Sequence, residues 1–139
     1  MTRVIFDSDL YIDWIGAGLR EELFLERPFV RYMSTVVLLE LQAGAFELAA
    51  TKAVAEIYRA FSRTGRLLSP SPDTFWRTGS LLRTLQQRHG FDRRRRFRLM
   101  NDCFIALSSR QIGATVVTRN ERDFRLIQQV VAFSLAVVT

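Results

Sequence analysis

Asp7, Asp9, Glu40, Asp102 and the polar run Thr118 to Asp123 are the residues whose types and settings could do chemistry. Asp7 and Asp9 follow Val4-Ile5-Phe6, where an apolar, strand-prone run ends abruptly. Glu40 is the only charge between Arg31 and Glu47, flanked by Val36, Val37, Leu38, Leu39 and Leu41. Asp102 is likewise alone between Arg98 and Arg110. An ionised carboxylate in apolar company is costly unless a cation or hydrogen bonds compensate it. Several gathered in one pocket repel and raise one another's pKa, so such a pocket favours a bound cation. Hard oxygen donors without histidine or cysteine select Mg2+ or Mn2+. Such an ion can bind a phosphate oxygen, acidify a coordinated water and stabilise a leaving oxygen, which is the chemistry of phosphodiester hydrolysis.

The elements that must position these acids are legible from periodicity. Val4 to Phe6 reads as a buried strand feeding a helix through Leu10, Tyr11, Ile12, Trp14 and Ile15. Asp7 then stands at a strand carboxyl end, where open α/β sheets bind ligands. Ser8 or Asp9 is expected to cap the helix, which leaves Asp7 without so ordinary a role. Pro28 breaks the charged segment Arg20 to Glu26, Phe29 to Met33 reads as a second strand, and Ser34-Thr35 opens a helix from Val36 to Ala43 that Gly44 stops. Phe46 to Thr64 forms an amphipathic helix with Ala49, Ala53, Ile57 and Phe61 on one face. Arg66 to Leu68 is a short strand or connector, and Ser71-Pro72-Asp73 starts a helix that runs to Gly90. The arginine run Arg93 to Arg96, read as a solvated face or loop or as a phosphate or partner contact, leads into a buried helix from Leu99 to Leu107. Ala114 to Val117 is a buried strand entering the Thr118 to Asp123 turn, and a final strand is expected within Val130 to Val138. His89, the only histidine, is explained by the helix terminus beside Gly90, and Cys103 by the core. Alternating strands and helices predict an α/β fold, a three-layer sandwich with a mainly parallel central sheet flanked by helices. Asp7 and the Thr118 to Asp123 turn would then meet Glu40 and Asp102 from neighbouring helices.

The 139 residues suffice for a single domain, 1–139, with a real core and no internal repeat. A lone cysteine excludes an intrachain disulfide framework and suits a reducing compartment. Asp7, Asp9 and Asp13 interrupt any N-terminal signal-like run, and the longest uncharged stretch, Leu126 to Thr139, is too short to span a bilayer. The expected protein is soluble and cytoplasmic, with no membrane partner. The formal charge is +6, and nineteen of the twenty basic residues are arginine. Arginine forks match phosphate oxygens, so the excess is compatible with nucleic acid, although genome composition produces the same bias.

Val4 to Ile12, Ser34 to Leu41, Asn101 to Ala106 and Thr115 to Phe124 together resemble, in order and spacing, the motifs of PIN-domain ribonucleases, with the VapC toxins of toxin–antitoxin pairs the nearest branch. The resemblance covers nearly the whole chain. It implies a Mg2+- or Mn2+-dependent endoribonuclease that forms homodimers, cleaves RNA and is neutralised by a small VapB-like antitoxin. It makes Asp7, Glu40 and Asp102 the metal-site acids, Asn120 and Asp123 further catalytic positions, and Asp9 and Thr118 auxiliaries. Arg93, Arg94, Arg95, Arg96, Arg119 and Arg122 become candidates for RNA or partner contact. Two positions depart from the family pattern. Asn120 replaces a common aspartate, and Asp9 a common asparagine, departures that imply either a weakened metal affinity or a shift of part of the fourth acid's role to Asp9 or Asp123.

Other readings carry distinct requirements. A catalytically weak or inactive PIN-like protein would bind RNA or a partner without cutting. A haloacid-dehalogenase-type phosphatase would use Asp7 and Asp9 but needs a downstream lysine and an acid pair; Lys52 is the only lysine, and no adjacent acid pair follows it. A receiver-type signalling domain needs a lysine near the last strand, where there is none.

Overall fold

A computed structural model describes residues 2–139. Its elements are β1 (Arg3–Phe6), α1 (Ser8–Ala17), α2 (Glu21–Leu25), β2 (Val30–Ser34), α3 (Thr35–Ala43), α4 (Leu48–Thr64), β3 (Leu67–Leu68), α5 (Pro72–His89), α6 (Arg93–Ile112), β4 (Thr115–Thr118), α7 (Glu121–Gln128) and β5 (Ser134–Val137). The five strands form one sheet in the order β3-β2-β1-β4-β5, and every pairing is parallel. The expected α/β architecture is therefore present, with a sheet that is wholly rather than mainly parallel.

Apolar patterning explains why β1 is central. Val4, Ile5 and Phe6 are all at most 1% exposed, so both faces of the strand are covered, as a parallel sheet between helical layers requires. Ile5 pairs with Tyr32 on one side and Val116 on the other. From β1 the chain winds outward through β2 and β3, then returns to the other side for β4 and β5. The carboxyl ends of β1 and β4 thus flank the point where winding reverses, the usual place for a ligand crevice. Met33, Val37, Leu85, Leu99, Cys103, Ile105, Phe124 and Ile127 close the core around them.

Local chemistry corrects several boundaries. Asp7, rather than Ser8 or Asp9, is the cap of α1: its Oδ1 accepts from Ser8 N at 2.8 Å. The arginine run is no loop but the first turns of α6, because Asp92 accepts from Arg95 N at 2.8 Å and arginine sustains a helix well. Ser34 caps α3 by accepting from Val36 N, which places Val36-Val37 in the helix. α4 begins at Leu48, and its inward face is Val54, Ile57 and Phe61, with Ala49 exposed. The last strand is only Ser134–Val137. Among the described residues no helix is long and apolar enough to cross a membrane.

Because Ile5 is fully buried in the central strand and Ile12 is 56% exposed on α1, the two isoleucines should respond differently to truncation. Ile5→Ala should lower unfolding free energy by about 2–5 kcal/mol, and Ile12→Ala by roughly 0.5 kcal/mol or less. Urea midpoints at unchanged m-value provide the comparison, and equal losses would displace β1 from the centre of the core.

Candidate active site

β1 and β4 deliver the first part of the site together. Asp7 N donates to Val117 O at 2.9 Å, so the residue leaving β1 is tied to the end of β4 before its side chain is considered. Thr118, the last residue of β4 and completely buried, donates its hydroxyl to Asp7 Oδ2 at 2.7 Å. Asp9 Oδ2 lies 3.3 Å from the same hydroxyl and accepts from Arg119 N at 3.0 Å. A hydroxyl has one proton, so the shorter contact to Asp7 takes it and Asp9 relies on the Arg119 amide. Thr118 Oγ1 in turn accepts from Asn120 N at 2.9 Å, which fixes the turn after β4.

α6 and α7 deliver the second part. Asp102, 8% exposed, accepts from Asn120 Nδ2 at 3.3 Å. The same amide nitrogen lies 3.4 Å from Asp123 Oδ2, while Asn120 Oδ1 accepts from Asp123 N at 3.4 Å as the cap of α7. Carboxylates accept only from donors, so Asn120 separates two acids with its NH2 group and keeps its oxygen for the helix. Asp123 Oδ1 accepts from Arg95 Nη2 at 3.0 Å, and the Arg95 guanidinium lies 4.5 Å above the Phe91 ring. Glu40 comes from α3, half-buried, with Ser8 of α1 opposing the rise in its pKa.

Asp7, Asp9, Glu40, Asp102, Thr118, Asn120 and Asp123 are thus joined by direct contacts or mutual repulsion. The arginines divide. Arg95 is spent on Asp123, and Arg119 Nε pairs with Asp13 Oδ2 at 3.1 Å, which Arg20 also grips at 3.0 Å. Arg93, Arg94, Arg96 and Arg122 are exposed. Lys52, which the phosphatase reading needs, is exposed on α4. Sequence reasoning missed Ser8 as a neighbour of Glu40, Asp13 as the anchor of Arg119, and the Arg95–Asp123 pair. None of these has a local signal, since each joins elements whose docking the spacing does not reveal.

Oxygen donors dominate the cluster. The Asp9 Oδ1 and Glu40 Oε1 atoms are buried without a hydrogen-bond partner. Among the described residues no three acidic, histidine or cysteine side chains stand in a ready-made metal cage. Mg2+ does not need one, because it binds through one or two carboxylates and keeps several waters. Unpartnered buried acceptors among repelling carboxylates fit such an ion.

The PIN domain family model matches residues 6–129. No curated protein sequence matches the chain. Among solved structures, DNA-bound VapBC2 from Rickettsia felis is similar at 18% identity and a TM-score of 0.70, covering 99% of this chain and 100% of that one. DNA-bound VapBC from Salmonella typhimurium is similar at 22% identity and a TM-score of 0.65, covering 99% and 98%. VapBC-5 from Mycobacterium tuberculosis is similar at 20% identity and a TM-score of 0.61, covering 99% and 100%.

Burial first, and then the Asp9 charge, push the Asp7 carboxyl up to about 7 against the bonds from Thr118 and Ser8. Burial also raises Asp9 and Glu40, and burial followed by repulsion from Asp7, Asp123, Glu40 and Asp9 holds Asp102 well above the carboxylate range. The folded state therefore binds protons that the unfolded chain, with Asp near 3.8, has already released. In metal-free protein, the Asp7 contribution should make stability fall as pH rises from about 4 to about 7, and Asp102 adds a loss of the same sign. Asp7→Asn keeps a capping oxygen and removes the charge, so in EDTA at pH 8 it should stabilise the protein by roughly 2–4 kcal/mol and flatten the slope. Urea titrations across pH check this, and a variant less stable than wild type at pH 8 would refute the buried-charge account.

Proposed function

Because the chain belongs to the PIN domain family, we propose that it is a Mg2+- or Mn2+-dependent endoribonuclease, the toxin of a VapBC-type pair. The observation that carries this reading is the convergence of Asp7, Asp102 and Glu40, from β1, α6 and α3, at the reversal point of the sheet, each disfavoured as an anion by burial and neighbouring acids. Asp7, Glu40 and Asp102 would hold the ion, which supplies a more acidic water and positive charge at the phosphate when bound.

The chain's own residues do the rest. Thr118 holds Asp7 by its Oδ2 and keeps the carboxylate from turning. Asn120 keeps Asp102 and Asp123 apart while donating to both. Asp9 Oδ1, buried and unpartnered, is a proton acceptor for an attacking water, and Asp123, held by Arg95, is the more distant auxiliary. Exposed Arg93, Arg94, Arg96 and Arg122 draw the RNA backbone toward the acids, while Arg119 is held at the rim by Asp13.

Residues 1–139 act in this reading as one domain, in the cytoplasm, as a homodimer neutralised by a VapB-like antitoxin. Support for the antitoxin comes from the likeness to VapBC complexes, and for protein partners generally from exposed Leu39, Phe46, Leu48 and Tyr58 beside α4. A second reading, a PIN-fold protein that binds without cutting, is favoured by Asn120 in place of an acid and by Arg95 offsetting Asp123.

Purified antitoxin-free protein should cut total and transfer RNA into discrete products with Mg2+ or Mn2+ and leave them intact in EDTA. Asp7→Asn, although more stable, should lose at least the ~10–100-fold in activity that removing a mere outer-shell metal partner costs. Intact RNA with folded wild type in both metals would select the non-cutting reading.

A further inference from the structure

Beyond the carboxylates, the turn joining α5 to α6 faces α7 across a cleft of about 470 Å³ whose lining includes His89, Phe91, Asp92, Arg95, Arg122 and Arg125. Its floor is built. Gln86 clamps Phe91 through the backbone, donating to Phe91 O at 3.1 Å and accepting from Phe91 N at 3.3 Å. His89 stacks beside Phe91 with ring centroids 5.6 Å apart and planes inclined by 27°. Arg95 covers Phe91 and, on its other side, grips Asp123. One guanidinium therefore forms the wall between the cleft and the acid cluster.

The charges lining the cleft are unequally occupied. Arg95 is neutralised by Asp123, and the Asp92 carboxylate is engaged by Arg95 N. Arg125 has only a long, exposed contact of 3.7 Å to Glu121 and a bond to Gln128. Arg122 takes part in none of the ion pairs among the described residues. Two arginines thus remain able to take a phosphate, beside the exposed His89 ring that Phe91 backs, in a cleft of the size that accepts a small ligand. Aromatic walls with adjacent cations are how single strands are held without reading their sequence.

We propose that this cleft is a nucleotide subsite of the nuclease, holding the unit of single-stranded RNA next to the one cut, its phosphate on Arg122 and Arg125 and its base against the His89 ring that Phe91 supports. The proposal rests on the ribonuclease reading. The shared Arg95 wall places the occupant beside the acids, which favours the substrate strand over an acidic protein segment.

The test uses the Asp7→Asn protein as a non-cutting parent and a fluorescein-labelled mixed-sequence RNA of about ten nucleotides. Binding is followed by anisotropy between about 50 and 200 mM KCl. In Arg122→Gln/Arg125→Gln, the log–log salt slope should shrink by about 1.4, roughly 0.7 per lost phosphate contact on a single strand. Arg122→Lys/Arg125→Lys should keep the slope, and His89→Ala should weaken binding without changing it. An unchanged slope in the glutamine variant, with a parent that binds RNA and a wild type that cuts it, sinks the subsite and leaves the ribonuclease reading standing. The same result with lost binding to a purified antitoxin would reassign the cleft to an acidic partner. RNA neither bound by the parent nor cut by wild type fails the ribonuclease reading, and the subsite with it.

Discussion

Burial of Asp7, Asp9, Glu40 and Asp102, and then the repulsion of Asp102 by its acidic neighbours, is the constraint that the rest of the structure answers. Buried carboxylates cannot share one region as free anions, so each is held by a donor from another element or left partly protonated. Ser8 N and the Thr118 hydroxyl attend Asp7, the Arg119 amide Asp9, the Asn120 amide Asp102, and the Arg95 guanidinium Asp123. Thr118 closes β4 and Asn120 follows two residues later, which makes the end of that strand the organiser of the cluster. The fold must be stable enough elsewhere to tolerate the remaining repulsion. The buried Val4-Ile5-Phe6 of β1 and the side chains packed around it supply that stability.

Topology decides where the repulsion is concentrated. A parallel strand brings its carboxyl end to the same edge as its neighbours, so residues that simply follow strands in sequence become neighbours in space. Asp7 and Thr118, 111 positions apart, meet because β1 and β4 pair in register through Phe6 and Val117. A one-residue shift of that pairing would turn Thr118 to the opposite face and leave Asp7 without its hydroxyl.

Much of this was legible because the acids violate the pattern around them. Asp7, Glu40 and Asp102 interrupt apolar runs, and an interruption that burial should forbid points to a site. The element order was equally legible from periodicity and from the glycine stops, with Gly113 in the left-handed conformation after α6 as one instance. What could not be read is what depends on distance rather than pattern. Arg95 reaches Asp123 across 28 positions, and no spacing rule separates it from the exposed arginines on either side. The start of α6 was misplaced for a related reason: four arginines look like a solvated loop until the Asp92 cap is credited with starting a helix. Asp7 as a cap shows the limit of assigning one role per residue, since its Oδ1 caps α1 while its Oδ2 faces the site.

The departures at positions 9 and 120 make sense as a redistribution of charge. On the α6–α7 side, Asn120 donates to Asp102 and Asp123 and Arg95 offsets Asp123, while Asp102, buried and repelled by its neighbours, keeps an uncompensated charge. On the α1–α3 side, Asp9 Oδ1 and Glu40 Oε1 have no donor at all. An aspartate at position 120 would bring another anion to Asp102 where the present residue brings a hydrogen-bond donor, and a neutral residue at position 9 would remove one of the two unpartnered acceptors. The unpartnered acceptors therefore lie on Asp9 and Glu40, beside Asp7, with Asp102 closing the group from α6. An acid at position 120 would have stood between Asp102 and Asp123, so the amide there spares Asp102 a further repulsion and leaves Asp123 to its pair with Arg95.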